Sequence, residues 1–215
     1  MKDGTFSLSV DGSVLFSRDE PFSLPALSPN GLMVAFTEPA DETPFDPATK
    51  QIGARSLLTL GSLRSVLYYP AADRTVVIGT GASPLFLDDT HLIRFTPGGI
   101  IMTDLTTGNE TVLLQKSLSS LYGPVLQSPD RTLVTMADVE ADTLHVLRVS
   151  PSGAETVTTF DIGVMPAALT EEGLYELRTT KKGTSLWRHA LEGSSERKVA
   201  TFPDTFEVSA IVVDK

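Results

Sequence analysis

A unit of four short apolar runs recurs along this chain, and it restricts the fold more than any other feature of the sequence. The clearest copy spans Ser83 to Leu114, where runs of four to six residues alternate with breaks that contain Asp, Pro, Gly, Asn or Thr. Short apolar runs separated by such breaks are typical of antiparallel strands joined by tight turns. The sequence therefore predicts an all-β protein assembled from four-stranded units.

The first turn of each unit gives the spacing of the repeat. These turns begin at Ser28, Leu87, Ser128 and Thr170, in steps of 59, 41 and 42 residues, and the first step is long because it contains an insertion at 38–62. A period of roughly 40 to 45 residues with four strands per repeat is typical of β-propeller blades, because sheets packed in a ring cover each other's faces. A β-sandwich gives no reason for the same turn to recur at this period.

The repeat predicts a single domain over 1–215, a five-bladed β-propeller of four-stranded antiparallel blades, because 215 residues hold about five periods of this length. In the last blade, strands from the N- and C-terminal ends join and close the ring, which hides the edges of that sheet. The predicted blades cover residues 24–79, 82–115, 123–161, 165–203, and 204–215 together with 1–20.

The turn S-P-N-G at 28–31, followed by the apolar segment L-M-V-A-F at 32–36, resembles the TolB-type, WD-like β-propeller repeat. In that family a Ser-Pro-Asp-Gly turn precedes an apolar strand that often ends near Ala-Phe. The turn S-P-D-R at 128–131 is the next best match, and the turns at 87 and 170 are degenerate. The resemblance implies the fold, with binding outside the cytoplasm as the commonest association of the family, which includes periplasmic binding proteins and the propeller parts of peptidases.

Neither metal nor cofactor is expected from the sequence. The chain has three histidines, each in a different predicted blade and none paired at i+2 or i+4: His91, His145 and His189. We interpret them as structural, since a histidine metal site would need chance convergence. Asn30, Asp89 and Asp130 occupy equivalent turn positions, which favours side chains that cap the turn backbone over calcium ligands.

The sequence also lacks a catalytic motif, and we predict that the chain is not an enzyme. There is no cysteine, no G-x-S-x-G and no glycine-rich phosphate loop followed by lysine. Glycosidases need two carboxylates across a cleft, and the predicted innermost strands carry no acidic residue, except for Glu207 if it lies on such a strand. Trp187 falls mid-strand, where core packing is the simpler interpretation.

The insertion at 38–62 is the one departure from the repeat and the predicted binding region. Long loops in compact repeat folds are uncommon and often functional. A flap that covers a channel mouth or the side of a blade is the alternative interpretation. The predicted binding residues are the acidic and apolar side chains Glu38, Asp41, Glu42, Phe45, Asp46 and Leu57.

Net charge restricts the partners. The chain carries a formal charge of -10 at pH 7, and an acidic protein repels phosphate backbones, so nucleic acid is excluded. We predict a non-catalytic, monomeric binding or scaffold propeller that recognises a protein, peptide or glycan partner. The exposed domain of a membrane-anchored protein is one form of this prediction. The alternative is a small five-bladed hydrolase that acts on glycans, with its acids contributed by loops.

The compartment follows from the resemblance more than from the chain itself. No apolar run approaches the ~18 residues of a membrane span, and residues 1–5 lack the apolar core of a signal peptide. This predicts either a cytoplasmic protein or one whose targeting segment or membrane anchor is absent from this chain. The resemblance favours an extracytoplasmic or periplasmic location.

Overall fold

A computed structural model of the chain describes residues 6–10, 13–18, 23–40, 59–118, 125–161, 163–164, 166–181, 183–193 and 195–202. Contacts divide the chain into two compact units, 1–120 and 121–215, and each is described by itself. The regular elements of the described residues are strands and two short 3-10 helices, Leu60–Ser62 and Pro70–Ala72. None of the described helices has the length and apolar character needed to cross a membrane.

The first unit contains a hairpin and two four-stranded antiparallel sheets whose strands follow chain order. The hairpin consists of β1 (Phe6–Val10) and β2 (Ser13–Arg18). The first sheet consists of β3 (Ser23–Leu27), β4 (Val34–Pro39), β5 (Leu63–Tyr69) and β6 (Arg74–Thr80). The second consists of β7 (Ala82–Phe86), β8 (His91–Thr96), β9 (Gly99–Asp104) and β10 (Glu110–Gln115).

The second unit contains two further antiparallel sheets in the same strand order. The first consists of β11 (Leu133–Asp138), β12 (Thr143–Ser150) and β13 (Gly153–Asp161), and a bridge between Gln127 and Val134 stands in the place of its first strand. The other is four-stranded and consists of β14 (Pro166–Thr170), β15 (Gly173–Thr180), β16 (Gly183–His189) and β17 (Glu196–Phe202).

The all-β prediction is confirmed, but the number of sheets differs from the predicted five blades. The described residues form four sheets with the predicted strand order, three of them four-stranded, and a separate hairpin. No closure of a ring is seen among them. Of the predicted closing blade, the structure describes the hairpin β1–β2, while 203–215 lie outside the described residues. Local periodicity counts repeats, whereas closure depends on contacts between distant ends.

The S-P-N-G turn forms because its side chains replace backbone partners. The Ser28 hydroxyl donates to Asn30 Oδ1 at 2.8 Å and accepts the Met33 N–H at 2.9 Å. Asn30 Oδ1 also accepts the N–H of Leu32, and Gly31 adopts the left-handed φ of 72° that a side chain would disfavour. In the third repeat Asp130 accepts equivalent bonds from Ser128 and Thr132.

In the second sheet the predicted capping residue is wrong by one position. Asp88, not Asp89, caps the turn, since its carboxylate accepts the N–H groups of Thr90 at 2.7 Å and His91 at 2.8 Å. Asp89 instead accepts the N–H of Asn30 at 2.9 Å and so links the first turns of two neighbouring sheets. The degenerate turn L-D-D-T has two aspartates, and the sequence alone does not tell which one faces its own backbone.

Both units have their core between neighbouring sheets. In the first unit Met33, Ala35 and Leu67 of the first sheet pack with Phe86 and Leu92 of the second. In the second unit one buried cluster joins the two sheets through Leu133, Ala137, Leu144, Val146, Leu169, Leu174 and Leu191. Face-to-face packing explains why central strands such as β4 are buried on both faces and do not alternate between apolar and polar residues.

Candidate functional site

Of the six predicted binding residues in the insertion, one lies among the described residues. Glu38, on β4, is 4% exposed, and its Oε1 accepts hydrogen bonds from Arg64 Nε and Nη2, both at 2.7 Å. Arg64 is its direct cross-strand neighbour on β5, so this carboxylate is engaged within the sheet. The other predicted residues, Asp41, Glu42, Phe45, Asp46 and Leu57, lie outside the described residues, and the binding role of the insertion stays a prediction.

The first unit also holds a buried guanidinium with a structural role. Arg94, on β8, is 3% exposed. It donates to Glu110 Oε1 at 2.7 Å, to Thr103 Oγ1 at 2.6 Å and to the carbonyl of Thr80 at 3.1 Å. These partners lie on three other strands, so Arg94 links the strands of its own sheet to the neighbouring one.

A larger charged network lies on the sheet β14–β17 in the second unit. Strand register places it, because Leu174 pairs with His189, Glu176 pairs with Trp187, and His189 pairs with Glu196. Residues two apart on a strand share a face. One face of this sheet therefore carries, on three adjacent strands, Leu174, Glu176, Arg178, Trp187, His189, Glu196 and Lys198.

The network is centred on the carboxylate of Glu176. Its Oε2 lies 2.7 Å from His189 Nε2 and accepts a bond from Arg178 Nε at 2.8 Å. Arg178 Nη2 donates to Glu196 Oε2 at 2.7 Å, and His189 Nδ1 lies 3.9 Å from the same oxygen. Glu176 and His189 are each 7% exposed, so the inner part of the network is shielded from solvent. Buried charges require such compensation by partners.

Hydrogen bonding between Arg178 and Glu196, the outer residues of the network, keeps both side chains charged. Bonds from Arg178 hold the pKa of Glu196 below its usual value, and the hydrogen bond to Glu196 is the main cause that raises the pKa of Arg178. Both groups are therefore charged across the physiological pH range. The guanidinium of Arg178 also lies over the Trp187 ring, 4.5 Å from its centroid, and Lys198 Nζ lies 5.3 Å from it. Trp187 is half-buried and packs against these two cations. It therefore does not have the core position that the sequence predicted.

This network opens into a cleft of about 420 Å³ between the two sheets of the second unit, which we call the His189 cleft. Its volume lies in the range of ligand sites. Phe160 forms part of the wall, with its ring 5.3 Å from that of His189 at an interplanar angle of 65°. The lining residues are Thr143, Thr159, Phe160, Asp161, Val164, Arg178, His189 and Glu196.

A second cleft of about 460 Å³ in the same unit is lined by Asp130, Glu171, Glu172 and Glu192 together with Arg148 and apolar side chains. Burial alone would raise the pKa of Asp130, but hydrogen bonds with Ser128, Thr132 and Glu171 outweigh it and lower the pKa. Of the lining residues, Arg148 pairs with Glu155 at 3.1 Å and Glu172 pairs with Arg188 at 2.8 Å. Nowhere in the described part of the chain do three His, Asp or Glu side chains meet in a way that could hold a metal ion.

The sequence does not reveal this network through His189 alone, because its partners Glu176 and Glu196 lie on other strands. The four sheets can be superimposed on one residue pair between their first two strands. These pairs are Leu27–Val34, Phe86–Leu92, Gln127–Val134 and Leu169–Leu174. Two residues further along the second strand, the equivalent residues are Phe36, Arg94, Met136 and Glu176. Two of the other repeats bury an apolar side chain at this position and the third buries Arg94, so once strand pairing is known a charged side chain here signals a buried charge that partners compensate.

Comparison with known proteins defines the class of fold. No protein-family model matches the chain, and a search of curated proteins gave no match. Among solved structures, TolB from Acinetobacter baumannii is similar, with a TM-score of 0.55 and 12% identity over 88% of this chain and 46% of that one. Oligogalacturonate lyase in complex with manganese is similar too, with a TM-score of 0.59 and 11% identity over 91% of this chain and 58% of the other.

Both structures are β-propellers, so the chain has a propeller-type fold, and the resemblance to the TolB-like repeat is confirmed at the level of the fold. The chain spans about half the length of these two structures. The prediction that the chain is not an enzyme is wrong as an exclusion, because oligogalacturonate lyase is an enzyme built on this fold. The two neighbours leave both binding and catalysis open.

Proposed function

We propose that the chain binds an extended peptide segment of a protein partner and that the His189 cleft is the binding site. The observation that carries this proposal is the hydrogen-bonded network of Glu176, Arg178, His189 and Glu196, which reaches the surface in a cleft of about 420 Å³. Polar groups whose geometry is fixed before a ligand arrives lose little entropy on binding, which favours recognition at such a place.

Charge favours a peptide over a neutral glycan. The cleft presents the carboxylates of Asp161 and Glu196 beside the aromatic ring of Phe160, on a chain with a formal charge of -10. Complementary charge steers association and selects among partners, and basic side chains supply that charge in peptides. The partner is therefore a protein rather than nucleic acid, as the acidic composition also indicates.

A steric block tests the site without removing the network. Peptides selected from a displayed library for binding to the whole chain should bind Thr159→Trp at least about tenfold more weakly, because this exposed residue lines the cleft. Thr156→Trp is the matched control, since Thr156 is exposed on the same strand and does not line the cleft. Equal affinity of the selected peptides for both variants, measured by calorimetry, would remove the cleft from the account.

The same selection tests the insertion. We keep 38–62 as a proposed second contact region, supported by its length and its mixture of acidic and apolar residues. Neutralising Asp41, Glu42 and Asp46 together as Asn, Gln and Asn should weaken the selected peptides if the insertion contributes to recognition. Unchanged binding by this triple variant would restrict the site to the second unit.

A second candidate is a hydrolase that acts on glycans, favoured by the two carboxylates, Asp161 and Glu196, that line the same cleft. Glycosidases place their carboxyl pair about 5 to 9.5 Å apart. An assay of the whole chain against aryl glycosides, with Asp161→Asn and Glu196→Gln beside it, separates the candidates. Hydrolysis that both substitutions abolish would replace the binding proposal, and binding of glycans without turnover would change the partner class.

The finer architecture stays a proposal as well. A fifth blade that joins 204–215 to the N-terminal hairpin is supported by the shared strand order of the four described sheets and by the propeller neighbours. Slow amide hydrogen exchange over 206–214 would accompany such pairing, and exchange at the rate of an unstructured peptide would argue against it. We also propose that the protein is a monomer and, because of the family resemblance, that it is located outside the cytoplasm.

A further inference from the structure

With a neutral imidazole at His189, the His189 cleft holds two hydrogen-bond acceptors that face each other without a hydrogen between them. Glu176 Oε2 already accepts from Arg178, and as a carboxylate it can only accept, so the 2.7 Å contact requires a hydrogen on His189 Nε2. In the neutral imidazole the other nitrogen, Nδ1, is then an acceptor. His189 Nδ1 lies 3.9 Å from Glu196 Oε2, a separation beyond hydrogen-bond distance. Glu196 Oε2 is also an acceptor.

One nitrogen that carries two or more hydrogens can donate to both of two acceptors at this separation. With bonds of about 2.9 Å, a single ammonium or guanidinium nitrogen reaches both His189 Nδ1 and Glu196 Oε2. Glu196 is accessible to such a group, because its side chain is 45% exposed. Asp161, an exposed carboxylate that also lines the cleft, adds negative charge, and the Phe160 ring offers an apolar wall for an aliphatic stem.

We propose that the His189 cleft takes the charged end of a lysine or arginine side chain, which donates to His189 Nδ1 and Glu196 Oε2 together. This inference rests on the proposed function and names the part of the peptide that the cleft recognises. The protein's own cations near the cleft have other partners. Arg178 is bound to Glu176 and Glu196, and Lys198 lies over the Trp187 ring.

The probe is n-butylammonium, the equivalent of a lysine side chain, with n-butanol as the uncharged analogue of equal length. Titrated into the whole chain, butylammonium should shift the ¹⁵N resonance of His189 Nδ1, and butanol should not. Glu196→Gln should weaken the titration roughly tenfold, since it removes one charged acceptor, and Asp161→Asn, at an exposed position, should weaken it less.

Glu155→Gln is the control of equal charge change, because Glu155 is exposed on β13, pairs with Arg148 and does not line the cleft. A response to butanol equal to that of butylammonium, or an equal loss in Glu155→Gln and Glu196→Gln, would overturn the inference. If the selected peptides lose binding to Thr159→Trp but contain no lysine or arginine, the binding site stands and the cation preference falls. If they bind Thr159→Trp as well as Thr156→Trp, the proposed function falls, whatever butylammonium does.

Discussion

Replacing Glu176 with glutamine is expected to lower the free energy of unfolding by about 3 kcal/mol, because it leaves the half-buried guanidinium of Arg178 and the buried imidazole of His189 without their charged partner. Glu176 is 7% exposed and binds both His189 and Arg178. Glutamine keeps the shape and can place its carbonyl oxygen where Oε2 accepts both bonds, but it lacks the negative charge that compensates Arg178. Urea unfolding followed by far-UV circular dichroism measures the loss, with the slope of the transition expected to remain unchanged.

Glu155→Gln provides the comparison for this variant. Glu155 pairs with Arg148 at 3.1 Å, and both side chains are more than half exposed, so its loss should cost under about 1 kcal/mol. A double-mutant cycle between Glu176→Gln and His189→Gln should give a coupling energy above about 0.5 kcal/mol, since the two side chains are in direct contact. Equal losses for Glu176→Gln and Glu155→Gln would show that the network does not stabilise this sheet.

The elements that the sequence predicted well are those with local causes. The turn at 28–31 is encoded by four adjacent residues whose side chains bond to one another and to the backbone, so its position and the strand after it follow from the sequence. The 42-residue period likewise requires only that neighbouring strands pair. Where the turn sequence is degenerate, at Asp88 and Asp89, the prediction misplaced the cap by one residue.

The candidate site could not be predicted in the same way, because it depends on register. Glu176, His189 and Glu196 lie on three strands, and their side chains meet only because the hairpins β15–β16 and β16–β17 align Leu174 with His189 and His189 with Glu196. A sequence search for ligands at i+2 or i+4 does not test pairs 13 or 20 residues apart.

Replacing Phe36 with alanine is expected to cost about 4 kcal/mol in the free energy of unfolding. Phe36 is 0% exposed and packs in a buried cluster with Val34, Val66 and Tyr68. Ala35, the next residue on β4, belongs to a different cluster on the opposite face of the strand. Because both faces of the strand are covered, neighbouring groups have little freedom to fill the cavity left by the ring, and this places the cost near the upper end of the range for such substitutions.

Leu32→Ala, four residues earlier in the same apolar segment, shows whether the cost at Phe36 comes from its burial or only from its apolar character. Leu32 is 64% exposed, so its truncation should change the free energy of unfolding by no more than about 0.5 kcal/mol. By composition alone both residues belong to the L-M-V-A-F segment and would be ranked alike. A large cost at Phe36 with little at Leu32 is what a sheet covered on both faces requires. Similar costs at the two positions would mean that β4 is open on the face that carries Phe36, and face-to-face packing would then no longer explain its apolar sequence.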